Sequence, residues 1–188
     1  MTGWPRRMTK GFRRIRRATR LLPLLVVPLF FISSGCGAKK TEDAPHKTLT
    51  DRVVVEKSAR TMTLMRDGKV LKTYNVALSR EPVGAKEREG DHKVPEGEYV
   101  VDSKNSHSRF HLALHISYPN YADQERARKL GVKPGGNIEI HGLDSKYAWV
   151  GSLQRQVDWT DGCIGVTNSE IEEIWPLVRV GTPVEIRR

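Results

Sequence analysis

Cysteine is scarce in this sequence, which has only Cys36 and Cys163 among its 188 residues. Because Cys36 ends a segment that we interpret below as an export leader, its removal or modification leaves Cys163 as a lone thiol. Such a mature chain has no intramolecular disulfide, and a lone cysteine in an exported protein is a candidate reactive thiol. The alternative interpretation is that Cys163 is a small buried hydrophobic residue.

Long hydrophobic runs are also missing. The longest apolar run, Leu21–Ile32, has twelve residues and is interrupted by two prolines, so it is too short for a stable transmembrane helix. It follows a cationic segment and precedes small residues that end at Cys36, which is the order of an export signal. The Ser-Gly-Cys ending resembles a bacterial lipobox, although Ser33 stands where leucine is usual. We therefore predict that residues 1–36 are a signal peptide of the lipoprotein type.

This leader predicts an exported, periplasmic protein that is held at a membrane by lipid on Cys36. Two alternatives are cleavage by an ordinary signal peptidase and a permanent membrane anchor helix. Residues 37–50 are polar, without apolar periodicity, and we predict that they form a flexible tether.

A basic excess is absent outside the leader. Residues 1–35 contain eight of the 32 Lys and Arg residues and no acid, so the rest of the chain has 24 basic and 22 acidic residues. The net charge of +10 is thus mostly a property of the leader. A nucleic-acid partner, which a basic surface would favour, is excluded as an interpretation.

The remaining sequence, residues 51–188, has the pattern of one mainly β domain. Short runs of alternating apolar residues are separated by turn residues, and Asp67-Gly68 between two such runs is a strong hairpin signal. Residues 122–130 and 169–175 favour two short helices. There are no internal repeats. We predict a β-sandwich or a partly closed barrel with two short helices.

One stretch contains a pattern that points to chemistry. His141 ends an apolar run, and Cys163 follows it by 22 residues inside a Thr-Asp-Gly-Cys turn. A histidine beside a cysteine is the minimum for covalent acyl transfer, because one nearby imidazolium can lower the thiol pKa by one to three units. Backbone N–H groups in the turn would stabilise an oxyanion. The histidine also needs an orienting partner, for which the Gly142 carbonyl, Asp158 and Asp161 are candidates.

The same stretch carries a resemblance. Ile138-Glu-Ile-His-Gly142 and Thr160-Asp-Gly-Cys-Ile-Gly-Val-Thr-Asn168 resemble the motifs of the L,D-transpeptidase catalytic domain (YkuD type), which are His-Gly and then Ser/Thr-His-Gly-Cys-Ile/Val-Arg-Met-x-Asn. The resemblance extends over most of residues 52–188 and implies the fold of that family. It implies that Cys163 is the nucleophile, His141 its base and the Gly142 carbonyl the orienting group. The neighbouring residues are then candidates for substrate binding: Trp159, Thr160, Asp161, Gly162 and Asn168.

The resemblance also implies a reaction. The enzyme would cleave the diaminopimelate–D-alanine bond of peptidoglycan stem peptides through a Cys163 thioester, without a metal or organic cofactor. An amine would then take the acyl group: a second stem, a lysine of an envelope protein, or a D-amino acid. Two departures bear on this reaction. Asp161 replaces the family's histidine and should raise the thiol pKa, and Gly165 replaces a cationic arginine that is thought to help bind the substrate.

Three alternatives remain. The same Cys163–His141 pair could serve a hydrolase, either an L,D-carboxypeptidase or an amidase. His115, Asp123 and His141 could instead be zinc ligands of a wall peptidase with Glu139 as its base. A non-catalytic wall-binding lipoprotein is the third alternative, in which Trp149 and Trp159 would contact glycan or peptide.

Overall fold

A computed structural model of the protein describes residues 49–188. The predicted leader, including Cys36, and residues 37–48 of the predicted tether lie outside the described residues. The described part folds into eight strands: β1 (Arg52–Glu56), β2 (Thr61–Arg66), β3 (Lys69–Asn75), β4 (Gly97–Ser108), β5 (His111–Ile116), β6 (Glu139–His141), β7 (Ile164–Gly165) and β8 (Pro183–Arg187). Three helical elements accompany them: α1 (Tyr121–Leu130), a 3₁₀ segment (Ser145–Gln156) and α2 (Asn168–Ile174).

The first three strands form a meander around the predicted hairpin turn. Asp67 and Gly68 have φ angles of +50° and +73°, the left-handed values that a two-residue turn requires at both central positions. The register of β2 with β3 pairs Arg66 with Lys69 across this turn.

The strands make a single unclosed sheet in the order β3-β2-β1-β8-β4-β5-β6-β7. The long strand β4 belongs to both halves, since residues 97–100 pair with β8 and residues from Val101 onward pair with β5. After β3 the chain crosses to the far edge, where the N–H of Ala77 donates to the carbonyl of Gly165 at 2.9 Å. The mainly β prediction is confirmed, and this crossing brings the loop after β3 beside the cysteine turn.

Both predicted helices are present and begin with capping boxes. Asn120 caps α1, which ends at Gly131 in the left-handed conformation, and Thr167 caps α2. These caps satisfy backbone N–H groups that have no partner inside the helix. The 3₁₀ segment was not predicted, because its apolar residues have no helical period and Gly151 interrupts it with φ +52° and ψ −130°.

The apolar core lies between the sheet and α2. Its fully buried side chains come from both halves of the sheet and from the helix, for example Leu64, Leu114, Ile140, Ile164 and Ile171. No helix within residues 49–188 has the length and apolar character needed to cross a bilayer. Because the core covers one face of β5, β6 and β7, polar side chains of these strands must project from the other face.

Candidate active site

The predicted catalytic residues lie on the outer face of β5, β6 and β7. Leu114, Ile140 and Ile164 fill the core on one face, so residues one position away project outward. The ladder pairs Ala113 with His141 and His141 with Gly165. Two residues before His141, and so on the same face, it pairs Glu139 with His115.

The cysteine follows from the same register. The parallel ladder of β6 with β7 pairs Ile140 with Ile164, and continuing it by one residue places Cys163 beside Glu139. The Sγ of Cys163 lies 3.7 Å from the carbonyl oxygen of Asn137, and the Glu139 backbone acts to lower the thiol pKa. His141 on β6 and Cys163, just before β7, therefore take adjacent outward-facing positions at the same edge of the sheet.

His141 is held by its own turn. Its Nδ1 lies 2.7 Å from the carbonyl oxygen of Gly142, and because a carbonyl only accepts, Nδ1 carries the proton and Nε2 is the free base. The other two candidate partners are used elsewhere: Asp158 pairs with Arg60, and Asp161 pairs with Arg80. His141 is 2% exposed, and burial lowers its pKa although the bond to Gly142 opposes this.

Asn168 fixes the turn that carries this carbonyl. Its Oδ1 accepts a hydrogen bond of 2.6 Å from the backbone N–H of Leu143. The approach is close, because a Cβ at Gly142 would lie 2.5 Å from that oxygen. Only glycine fits between Asn168 and the backbone of Phe110. Asn168, a candidate for substrate binding, is thus placed as a support of the His-Gly turn.

Two aromatic rings enclose the imidazole. Phe110 stacks on His141 with ring centroids 4.4 Å apart, and Trp159 meets its edge at 5.6 Å. The indole N–H of Trp159 donates to Oε1 of Gln154 at 2.6 Å. A Cβ at Gly165 would lie 3.0 Å from Cζ2 of Trp159. Trp159 therefore occupies the space into which a side chain at position 165, such as the family's arginine, would project.

A cavity of about 370 Å³ opens beside these rings. Its walls are almost entirely apolar and include Phe110, Leu143, Val150, Val157 and Trp159. Since Val150 belongs to the 3₁₀ segment, that element forms one side of the cavity. Trp149, which the sequence placed near the cleft, is 80% exposed and does not line it.

The cysteine turn is shaped by Gly162 and Thr160. Gly162 has φ +127°, and a Cβ there would lie 3.0 Å from the carbonyl oxygen of Lys93. The hydroxyl of Thr160, a buried residue, donates to the carbonyl of Cys163 at 2.7 Å. Both residues therefore hold the turn that presents the sulfur.

The resting thiol is protonated. Burial raises the pKa of Cys163 to about 11, and the charges of Glu139 and Asp161 add to this rise, while the Glu139 backbone and Lys86 oppose it. The thiolate–imidazolium pair expected from the sequence is therefore not the resting form. Asp161 stays ionised, because the hydrogen bond from Arg80 holds its pKa below the ordinary value.

The proposed zinc ligands do not converge. Asp123 is buried in α1, where it accepts from Tyr99 at 3.0 Å and pairs with Arg126, while Nδ1 of His115 bonds to Asp102 at 2.6 Å. Within residues 49–188 no three His, Cys, Asp or Glu side chains are grouped as a metal site would require.

Sequence reasoning missed three contributors to this site. His92, from the loop after β3, lies 3.0 Å from Asp161 through Nδ1. Phe110 and Gln154 were not singled out, although they contact His141 and Trp159. No local signal marks these residues, because each reaches the site through a loop or through a strand pairing that is distant in sequence.

Comparison with known proteins agrees with this geometry. The family model of the L,D-transpeptidase catalytic domain (YkuD) matches residues 50–186. An Escherichia coli K12 protein named "Putative L,D-transpeptidase YafK" is 24% identical over 177 residues, which cover 87% of this chain and 64% of the relative. The chain thus spans less than two thirds of that relative's length.

Solved structures share the fold. The helical cell shape determining protein Pgp2 from Campylobacter jejuni superimposes with a TM-score of 0.57 at 24% identity, over 74% of this chain and 48% of Pgp2. An L,D-transpeptidase from Xylanimonas cellulosilytica gives a TM-score of 0.51 at 17% identity, over 76% of this chain and 63% of the other. With the family model covering most of the described residues, this chain belongs to the L,D-transpeptidase catalytic domain family of the YkuD type.

Proposed function

We propose that this protein is a cysteine acyltransferase that cleaves the diaminopimelate–D-alanine bond of peptidoglycan tetrapeptide stems and passes the acyl group to an amine. The observation that carries the proposal is the 2.7 Å bond from His141 to the Gly142 carbonyl. It fixes the imidazole as a base with a free Nε2, on the strand next to the lone free thiol of residues 49–188.

His141 accepts and then returns a proton in both half-reactions. As the sulfur of Cys163 attacks the diaminopimelate carbonyl, its proton passes to Nε2 of His141, and backbone N–H groups of the cysteine turn stabilise the oxyanion. The imidazolium then protonates the departing amine of D-alanine, leaving a thioester. An incoming amine loses its proton to His141 as it attacks the thioester, and the thiol returns.

The protonated resting thiol fits this sequence of steps. With the thiol pKa raised to about 11 and the imidazole pKa lowered, both groups are neutral before substrate binds. The general base therefore acts during the attack, and the bound substrate completes the active form. The proposal needs no metal or organic cofactor.

The acceptor decides the class of reaction. A second stem, a lysine of an envelope protein or a D-amino acid gives transfer, whereas water gives an L,D-carboxypeptidase or an amidase. Asp161, in place of a histidine, and Gly165, in place of an arginine, bear on the choice between transfer and hydrolysis, and they are also the features that favour the non-catalytic wall-binding alternative. The relative Pgp2 is named for helical cell shape, and a role in shaping the wall fits either outcome.

Location is part of the proposal. We place the mature protein outside the cytoplasmic membrane, in the periplasm, with Cys36 lipidated and residues 37–50 as the tether. Peptidoglycan stems would then be within reach of a membrane-anchored domain. Intact-mass analysis of the membrane fraction would show the lipid mass on wild type and its loss in Cys36→Ser.

One experiment tests the chemistry. The full-length chain is incubated with tetrapeptide-stem muropeptides, and mass spectrometry follows released D-alanine, the adduct on Cys163 and the products. We expect D-alanine release and a thioester adduct, both lost in Cys163→Ala. Equal release by Cys163→Ala would contradict the proposal and favour a non-catalytic wall-binding protein. Added amines separate the outcomes, since cross-linked products indicate a transferase and tripeptide products a hydrolase.

A further inference from the structure

Glu139 is a carboxylate beside the nucleophile that the reaction above does not use. It is the first residue of β6, two positions before His141, and the register places it next to Cys163. Neighbouring strands lie about 4.8 Å apart, so a residue bonded to the sulfur through its carbonyl would have Glu139 as a near neighbour. The Glu139 charge already acts on Cys163.

This carboxylate is partly buried and makes no side-chain hydrogen bond or ion pair within residues 49–188. Partial burial of an ionisable group without a partner is costly, and burial accordingly raises the Glu139 pKa, while His115 lowers it. Such a group at the edge of a reaction site is suited to a ligand of opposite charge.

The basic side chains around it are engaged elsewhere. From β5, His115 faces Glu139, but its Nδ1 bonds to Asp102 at 2.6 Å. From the loop after β3, the buried Lys86 bonds to Asp91 at 2.9 Å. Neither supplies Glu139 with a direct partner, so within residues 49–188 its carboxylate is open to a cation from a ligand.

Two further charged groups border the nucleophile. The ionised Asp161 lies two residues before Cys163 and is paired with Arg80 and His92. The neutral His141 follows Glu139 on the same face, but its Nδ1 is bonded to Gly142. Of the acids that act on Cys163, Glu139 is thus the one whose charge is not already compensated by a bonded base.

We propose that the Glu139 carboxylate binds the side-chain ammonium group of the acyl-donor residue, so that a free amine on that side chain is preferred at the residue whose carbonyl Cys163 attacks. This inference rests on the proposed function and identifies the group that recognises the donor side chain. No proton passes to Glu139; the two groups form an ion pair. The pair cancels the negative charge that opposes ionisation of the thiol, so the correct donor also favours attack by the sulfur.

The test uses the full-length chain and two tetrapeptide stems that differ only in the third residue, diaminopimelate with its side-chain amine free or acetylated. D-Alanine release is measured without an amine acceptor, so that any effect belongs to the donor. We expect wild type to prefer the free amine by about tenfold or more in kcat/KM, as for a hydrogen bond to a charged group. Glu139→Gln should reduce this preference to about twofold or less.

A matched variant controls for loss of any acid. Glu98 is exposed on β4, in the half of the sheet that pairs with β8, and Glu98→Gln should keep the full preference. A wild-type enzyme that treats both stems alike, or a Glu139→Gln variant that keeps the preference, would overturn the inference and leave the proposed function intact.

A second measurement does not require turnover. The rate at which iodoacetamide alkylates Cys163 at pH 8 reports the thiolate fraction, and Glu139→Gln should raise it by up to about tenfold because a neighbouring negative charge is removed. Free diaminopimelate should raise the wild-type rate, whereas its side-chain-acetylated form should not. If D-alanine is never released but this response is present, the ammonium site stands and the proposed reaction falls; no response would refute the site.

Discussion

Gly165→Ala tests whether Trp159 explains the missing arginine of the family. The added Cβ would lie 3.0 Å from Cζ2 of Trp159, closer than the roughly 3.5–4.0 Å at which carbon atoms attract, and it would lie 3.3 Å from Oε1 of Gln154. The indole cannot retreat freely, because its N–H is bonded to Gln154 at 2.6 Å and its ring meets His141. Overpacking of this kind costs about 1–3 kcal/mol of unfolding free energy.

The assay is a double-mutant cycle with Trp159→Phe, whose smaller ring leaves room for the methyl group. Urea unfolding of the full-length chain is followed by far-UV circular dichroism for wild type, both single variants and the double variant. We expect a coupling energy of about 1 kcal/mol or more, with the alanine tolerated once the indole is gone. D-Alanine release should fall in Gly165→Ala, because a displaced Trp159 loosens the enclosure of His141.

A second glycine provides the control. A Cβ at Gly136 would meet nothing within 4 Å, so Gly136→Ala should change the unfolding free energy by less than about 0.5 kcal/mol. If Gly165→Ala and Trp159→Phe are additive within about 0.5 kcal/mol, the indole does not reserve the space at position 165, and the explanation for the missing arginine is wrong.

Three other predictions concern the supports of the site. Asn168→Ala removes the acceptor for Leu143 N–H. It should lower the unfolding free energy in urea by about 1–3 kcal/mol and abolish most D-alanine release. Asn168→Asp keeps an acceptor and should retain most of the stability; an equal loss of stability in both variants would contradict this. Although burial raises it, hydrogen bonds from Lys86 and nearby backbone hold the pKa of Asp91 at about 2, so its contribution is present above about pH 4 and is lost as the pH falls towards 2. Asp91→Asn should therefore cost about 2.5 kcal/mol at pH 7 and little at pH 2, and a gap that persists at pH 2 in urea unfolding would refute the pairing. With its pKa raised to about 11, Cys163 should react with iodoacetamide at pH 7 roughly a hundredfold more slowly than free cysteine; an equal rate would mean an ionised thiol.

Local features of the fold could be predicted because their causes lie within a few residues. Asp67-Gly68 requires left-handed backbone angles wherever it joins two strands, and Asn120 with Asp123 closes a capping box at the start of a helix. The 3₁₀ segment could not be predicted, since its conformation depends on the cavity wall to which it contributes rather than on a period in its sequence.

The features of the active site also separate into those with local causes and those that depend on the fold. The sequence by itself determined that a histidine ends an apolar run and that a cysteine follows 22 residues later in a Thr-Asp-Gly-Cys turn, because residue identity and spacing are properties of the chain alone. Only the tertiary structure decided that the Gly142 carbonyl, rather than Asp158 or Asp161, holds His141, and that Glu139 lies beside Cys163. The reason is physical: a parallel register between β6 and β7 is set by burial of Ile140 and Ile164 against a core assembled from the whole domain, and no short stretch of sequence contains that information.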